Sequence, residues 1–420
     1  MLLLCTQEAF DILIFMQKKQ KKIEQMNNTG KFKAAYVFIY APIGVLCPLI
    51  GQYLSSIGFS GTQIGTVTAV STAVAIFAST FWGDIYSNCR DGRRVLFFLC
   101  IAAAIMALFN SFITVFILFT ITYGIMYFFQ GPVMGLADAM VLESDENFAS
   151  IRLCGAVGYA LSVFAGGKIG GLFGLDKIFF VYAGTFVIGA LIVMSIKLPK
   201  VHHHRAEEKV SVEEKVRFSE LFKEKKAIAL IICGIFMFGT NVANNTYFSF
   251  LFRDGGGTVA GVGTVFLLMV GSEAPFMALA PKLAGKFSQQ RLIAAAMILS
   301  ALRFGWYASG PSYQWLMALF FLQGMVNSVL LVEYMKYISS VVHPRVIGIT
   351  VSAFYAVSSN GGTILCNFFG GVAMDHFGSV GVYGLFSALN AIGVILYFAF
   401  GLHKQKKARV ATPRNPGHGI

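Results

Sequence analysis

KVHHHRAEEKVSVEEKVRFSELFKEKK, residues 200–226, separates FVYAGTFVIGALIVMSIKLP (180–199) from AIALIICGIFMFGTNVANN (227–245). Such a contrast between a charged segment and its apolar flanks is read as a water-exposed linker joining two membrane spans. Working outward, long apolar stretches recur about six times on each side, and roughly 20 residues rising 1.5 Å each match a hydrocarbon layer of ~30 Å. The spans are expected near 33–57, 63–83, 93–111, 114–142, 152–173 and 178–198, then 227–252, 260–281, 291–309, 313–340, 345–373 and 379–402. The predicted fold is therefore an all-α membrane protein with twelve transmembrane helices in two pseudosymmetric six-helix bundles. Its segments would be a leader at 1–32, a bundle at 33–198, a linker at 199–226, a bundle at 227–402 and a basic tail at 403–420.

Composition agrees. With 56% hydrophobic and 13% charged residues, too little polar surface is available for a water-soluble chain of 420 residues. The net charge of +13 does not point to nucleic acid, because the basic residues stand in short blocks between apolar runs and in the tail. Those blocks orient the molecule. Arg90, Arg93, Arg94, the linker, Lys282, Lys286, Arg291 and the tail share one side, whereas the other holds little beyond Lys177 and Arg253. The linker and both termini are expected in the cytoplasm, with the protein integral to the cell membrane.

The seven cysteines are scattered without CxxC spacing and read as small core residues; no metal or other cofactor is expected. His202, His203 and His204 lie in the charged linker and read as solvated. Residues 1–25 carry their positive charges after the apolar part, the wrong order for a secretory signal. They read as an interfacial helix or as sequence ahead of a true start at Met26, the second being preferred.

The loops GDIYSNCRDGRRV after span two and PKLAGKFSQQRL after span eight are alike in position and basicity, which supports an internal repeat. Two such halves around one linker are a transporter architecture. Glycines 155, 158, 166, 167, 170 and 171 crowd span five, where small residues let helices approach closely. Charge within a span costs several kcal/mol on insertion scales, so Asp138, Arg152, Glu273, Arg303, Glu333 and Lys336 each need a reason. Asp138 and Glu333 occupy corresponding spans and are expected to face a shared cavity, whereas Lys336 reads as snorkelling to water. Asn241, Asn244, Asn245, Gln323 and Asn327 could bind a polar solute or join helices.

RLCGAVGYA at 152–160 resembles the fifth-span motif of the lactose permease branch of the major facilitator superfamily. APKL at 280–283, Arg303, KYISSVVHPRVIGITVSAFYAV from Lys336 and MDHFGSVGVYG from Met374 follow in the same order. The resemblance implies that Arg152 contacts substrate, that Tyr159 takes the place of an aromatic stacking on a sugar ring, and that Asp138 is their acidic partner. Arg303 would belong to the proton-coupling network. The chain also departs from that branch: the span-ten His and Glu that couple protons there fall on Gln323 and Val326, so either Glu273 or Glu333 substitutes or coupling has changed. In the gating loop after span two, Gly83, Gly92, Arg93 and Arg94 are present, but the acidic residue is displaced and Asp84 or Asp91 must serve.

The expected function is proton-coupled symport of a small polar solute such as a sugar or glycoside, by alternating access in a monomer, with protons and the lipid bilayer as the other partners. Asp138, Arg152, Tyr159, Asn241, Asn244, Gln323 and Asn327 are the candidate solute contacts. Asp138, Glu273, Arg303 and Glu333 are the candidate proton-coupling groups. The alternative is a proton-coupled exporter of drugs or metabolites, although span five lacks the proline usual in such antiporters. No HExxH, GxSxG or GxxxxGK[ST] motif is present, so an enzyme is not expected.

Overall fold

The computed structural model describes residues 28–144, 146–197, 221 and 224–404; the expected leader, most of the linker including His202–His204, and the end of the tail lie outside them. Among the described residues, eight helices are long and apolar enough to cross a membrane. Counting the bent pair α1 (Asn28–Leu46) and α2 (Ile50–Ser56) as one span makes nine.

The first half continues with α3 (Gly61–Asn88), α4 (Gly92–Asn110), α5 (Phe116–Gln130), α6 (Val133–Leu142), α7 (Phe148–Phe173) and α8 (Lys177–Ser195). The second contains α9 (Lys225–Asp254), α10 (Val259–Phe287), α11 (Gln289–Tyr307), α12 (Tyr313–Ala318), α13 (Phe321–Val329), α14 (Met335–Val341), α15 (Ile347–Ala353) and α16 (Gly362–Ala399).

The difference from twelve has local causes. α16 is two passes in one. Gly362 lies against Gly239 and Gly370 against Tyr247, and Ser379 reaches Asp254, so the chain first runs along α9 in one direction. Tyr383 then reaches Asn244 and Asn390 reaches the Phe236 carbonyl, so it returns. The reversal is at Gly378, where φ is 67°, a left-handed conformation that glycine adopts without a β-carbon clash. α11, with its charged Arg291 and Arg303, stands where span nine is expected. Span ten is a divided run from Tyr313 to Val341, wound into wider π-helical turns at Leu330–Tyr334. A second π-helical stretch, Phe354–Gly361, links α15 to α16. Span one breaks at Cys47–Leu49 around Pro48, which lacks an N–H.

The internal repeat is visible in the turns that follow the first span of each half. Phe59 N–H donates to the Leu54 carbonyl and Gly58 N–H to Ser55; in the second half Gly257 donates to Phe252 and Gly256 to Arg253. Gly58 and Gly256 both have φ of 91°. The next helix is then capped by a hydroxyl in each half, Ser60 for α3 and Thr258 for α10.

Large apolar side chains such as Phe77, Phe112, Ile117, Leu172 and Phe173 point outward, as expected where lipid is the solvent. Inside, one apolar core runs through the first half and continues into the second around Tyr247, Phe266, Tyr307 and Phe386. A separate core around Leu230, Met237, Met297, Tyr334 and Phe354 serves the rest of the second half, at the face where the linker attaches. The halves are thus fused at the face opposite the linker, here called the far face, and keep separate cores at the linker face. Span-five glycines contribute to that fusion. A β-carbon on Gly167 would fall 2.7 Å from the Gly263 α-carbon of the other half, while Gly158 and Gly166 lie against Val37 and Val45 of α1. This is the close approach expected of small residues.

Candidate substrate and coupling site

Asp138 leaves α6 and Arg152 leaves the start of α7, and the two meet: Arg152 Nη1 donates to Asp138 Oδ2 at 2.5 Å. Both ends keep access to water, with side chains 42% and 26% exposed, so the pair lines an open surface and is not sealed in protein. Two tyrosines of α1 complete the group. Tyr36 donates to Asp138 Oδ1 at 2.8 Å, and Arg152 Nη1 also donates to the Tyr40 hydroxyl. The two rings stack at 5.6 Å with an interplanar angle of 18°, and the Arg152 guanidinium sits 4.9 Å from the Tyr40 centroid. A stacked pair contributes about 0.5–1.5 kcal/mol beyond area burial, which here fixes the two phenols toward the ion pair. Sequence reasoning missed Tyr36 and Tyr40; their i, i+4 spacing, one helical turn, was the available signal.

Arg152 is four residues into α7, so the ion pair sits about 6 Å inside the linker end of that helix and not at mid-depth. Tyr159 is two turns deeper on the same helix. Glu273 is the central residue of α10, and lies within electrostatic reach of Tyr159 across the boundary between the halves. Its carboxylate accepts from Asn327 Nδ2 at 3.0 Å, and its backbone carbonyl accepts from Ser328. No cation pairs with Glu273 among the described residues.

Asn241, Asn244, Gln323 and Arg303 form a second cluster. Arg303 donates to Asn241 Oδ1 at 2.6 Å and to Gln323 Oε1 at 3.3 Å; Asn244 donates to the same Gln323 oxygen at 2.9 Å and accepts from Tyr383 at 2.8 Å. Arg303 is buried, stacked on Phe304 and Tyr307 at 4.5 and 5.7 Å. No carboxylate joins it among the described residues. Asn244 and Gln323 are buried too, so in this conformation the cluster joins helices α9, α11, α13 and α16, and only Asn241 keeps partial access. Three of the expected solute or coupling residues, Asn244, Arg303 and Gln323, are thus buried in this conformation.

Glu333 is also placed apart from the others. It is buried in the π-helical turn of span ten, takes Lys336 Nζ at 3.0 Å and accepts from Gln289 Nε2 at 3.2 Å. An ion pair next to the linker end of α11 replaces the shared cavity expected for Glu333 with Asp138. Lys336 does reach outward, half exposed, as a snorkelling side chain would.

In the loop between α3 and α4 the structure distinguishes the two acidic candidates. Asp91 takes Arg93 through two bonds, 2.8 and 2.9 Å, and Arg94 at 3.7 Å, whereas the Asp84 carboxylate has no such contact among the described residues. Arg93 also donates to the Ile196 carbonyl at 2.6 Å, tying the loop to the end of α8. Gly92 packs beneath Tyr86, where a β-carbon would meet the ring at 2.4 Å; Gly83 faces open space. Hydrogen bonds from Arg93, opposed by partial burial and aided by the charges of Arg93 and Arg94, hold the Asp91 carboxyl below its usual range. The contact is therefore complete above the ordinary carboxylate value of about 3.9 and is lost as pH falls through the lower folded value. Faster hydrogen exchange at residues 90–94 is expected in Asp91→Asn than in the wild type at neutral pH, with the difference closing as pH falls through the lowered folded value of Asp91.

A family model described as the MFS_1 like family matches residues 30–385. The chain belongs to the MFS_1 like family. The protein is thus an all-α transporter of the major facilitator type integral to a membrane, as the resemblance implies. The "Uncharacterized transporter YwbF" of Bacillus subtilis (strain 168) is 28% identical over 367 residues, 86% of this chain and 90% of that one. The "Maltose permease" of Geobacillus stearothermophilus is 27% identical over 370 residues, 87% of this chain and 92% of that one. Among solved structures, the nucleoside transporter NupG superposes with a TM-score of 0.77 at 17% identity, covering 90% of this chain and all of that one. A D-xylose-proton symporter superposes at 0.66 with 13% identity, covering 90% and 97%. At such identities the two structures speak for this member's fold alone.

Proposed function

We propose that this MFS_1 like protein imports a small hydroxylated solute, a sugar or glycoside, together with a proton. The observation that carries the proposal is the division of chemistry between the halves. Asp138 and Arg152, held by Tyr36 and Tyr40, offer a paired donor and acceptor set on one side of the cleft. Glu273, a carboxylate with no cation partner among the described residues, stands at the middle of α10 on the other. A guanidinium and a carboxylate side by side suit a ring with adjacent hydroxyls, and Tyr159 supplies an aromatic face nearby. Protonating Glu273 removes a charge that otherwise opposes closing a dry cavity, so proton and solute movement would be linked through it. The relative named as a maltose permease supports the solute class.

The linker face is read as cytoplasmic because Arg90, Arg93, Arg94, Lys282, Lys286 and Arg291 collect there. The described conformation would then be the one open to the cytoplasm, in a protein that works as a monomer. The test is the pH of a lightly buffered suspension of de-energised cells making the protein, as sugars, glycosides, nucleosides and aromatic acids are added singly. Alkalinisation on adding a sugar or glycoside is expected. Acidification, or a response only to another class, would overturn the proposal.

Within the site, Tyr40→Phe keeps the ring under Arg152 and loses one hydrogen bond, worth about 0.5–1.5 kcal/mol. A rise in KM of about 2- to 13-fold with kcat little changed is expected in an uptake assay.

A further inference from the structure

The halves are joined at the far face by a cap that crosses between them. Asp375, at the end of span eleven, accepts from the Gly61 backbone N–H at 2.5 Å and from Thr62 twice, through its N–H at 2.8 Å and its hydroxyl at 2.5 Å. These partners are 314 and 313 residues away in sequence. They are the first two residues of α3, whose remaining cap is local: Ser60 and Gln63 bond one another reciprocally. Among the described residues Asp375 is the acceptor for the first two N–H groups of this 28-residue helix, at the end where its dipole favours an anion.

The surroundings are built to let the carboxylate in. A β-carbon on Gly61 would lie 2.6 Å from the Gly371 carbonyl and 2.9 Å from Asp375 Oδ1, and one on Gly65 would lie 2.3 Å from the Asn367 carbonyl. Backbone therefore meets backbone along this seam, and the seam cannot part gradually while keeping those bonds. Among the described residues the other hydrogen bond between the halves, Arg253 to Gln52 at 2.6 Å, is at the same face. At the linker face no hydrogen bond joins the halves among the described residues.

From this we infer that Asp375 is the latch of the far-face gate: its bonds to Gly61 and Thr62 bias the transporter toward the conformation closed at that face, and each transport cycle must break and remake them. The inference rests on alternating access and is independent of which solute is carried or whether a proton accompanies it. A carboxylate capping a helix across a parting seam is a two-state contact, since opening removes all its bonds together and gives the helix end to water.

The experiment uses the full chain in lipid nanodiscs with its native cysteines replaced, and spin labels at Ser55→Cys and Ser309→Cys, which are exposed at the far face on opposite halves. A second pair, Asn88→Cys and Lys282→Cys, reports on the linker face. In Asp375→Ala the far-face pair should gain a longer-distance population by about tenfold relative to the parent, while the linker-face pair shortens. Asp375→Asn, which keeps one acceptor oxygen without the charge, and Thr62→Val, which keeps the backbone bond, should fall between. Unchanged distributions in a folded Asp375→Ala protein would overturn the latch. So would far-face widening with no change at the linker face, which would show fraying of one loop in place of a gate.

Discussion

Glu273→Gln is expected to abolish accumulation of solute against its gradient, by tenfold or more, while leaving exchange of labelled for unlabelled solute within about threefold of the wild type. The reason lies in its position. Glu273 is the central residue of α10, half-buried, with one amide donor, Asn327, and no cation among the described residues. A charge at mid-depth costs about 2.5–3.5 kcal/mol on insertion scales, so closing the cavity around the carboxylate is disfavoured unless a proton or the solute neutralises or solvates it. Glutamine keeps the size and the acceptor for Asn327 while removing the titration. The empty carrier should then close as readily as the protonated one, which uncouples solute from proton. Paired measurements in proteoliposomes, uptake driven by an imposed pH gradient and counterflow at equal pH, separate these outcomes. Full gradient-driven accumulation by Glu273→Gln would remove that residue from coupling.

The second large effect is expected at Arg152. Its guanidinium donates at once to Asp138 and to the Tyr40 hydroxyl and stacks on the Tyr40 ring, yet its side chain remains 42% exposed. Hydrogen bonds to charged groups contribute about 1.5–3 kcal/mol, so Arg152→Ala should raise the apparent KM about 10- to 150-fold. Arg152→Lys should recover only part, because an ammonium cannot reproduce the planar fork. Since Asp138 keeps water access and the Tyr36 bond, losing Arg152 should lower thermal stability by only a few degrees. The double variant Arg152→Ala, Asp138→Asn should be far from additive in transport, as both changes remove the same contact. A purely structural role would instead reverse the pattern, with a large fall in melting temperature and an unchanged KM.

Much of this was readable from the chain. The alternation of apolar runs with short basic loops defines the helices and their solvent, because transfer to lipid is a sum of local contributions along each segment. The Asp138–Arg152 pairing was also within reach, since 14 residues and one loop separate two charges that would each be costly alone in a bilayer. The breaks were less legible. Pro48 marks one, but the π-helical turns at Leu330–Tyr334 and Phe354–Gly361 carry no proline, and arise where Tyr334 and Ser358 reach the Leu230 and Ile231 carbonyls of α9.

Partner choice was the part that hydropathy does not encode. Asp84 and Asp91 are equally acidic on paper; the turn that places Asp91 at the cap of α4, with Arg93 anchored on the Ile196 carbonyl, decides between them. Arg303 and Glu333 are equally conspicuous as charges within spans, yet one is sealed among amides and aromatic rings and the other is paired with Lys336.

The amino-acid sequence alone is enough to place the chain in a bilayer, to mark most of its long apolar helices and to single out the charges that need a reason there. Packing is what shows that Asp138 and Arg152 pair with their side chains partly exposed, that Arg303 is enclosed among amides and rings, and that α3 and α16 meet at Asp375. The physical reason is range: insertion free energy accumulates residue by residue, whereas a contact such as Asp375 with Gly61 joins groups 314 residues apart and exists only once every intervening helix has packed.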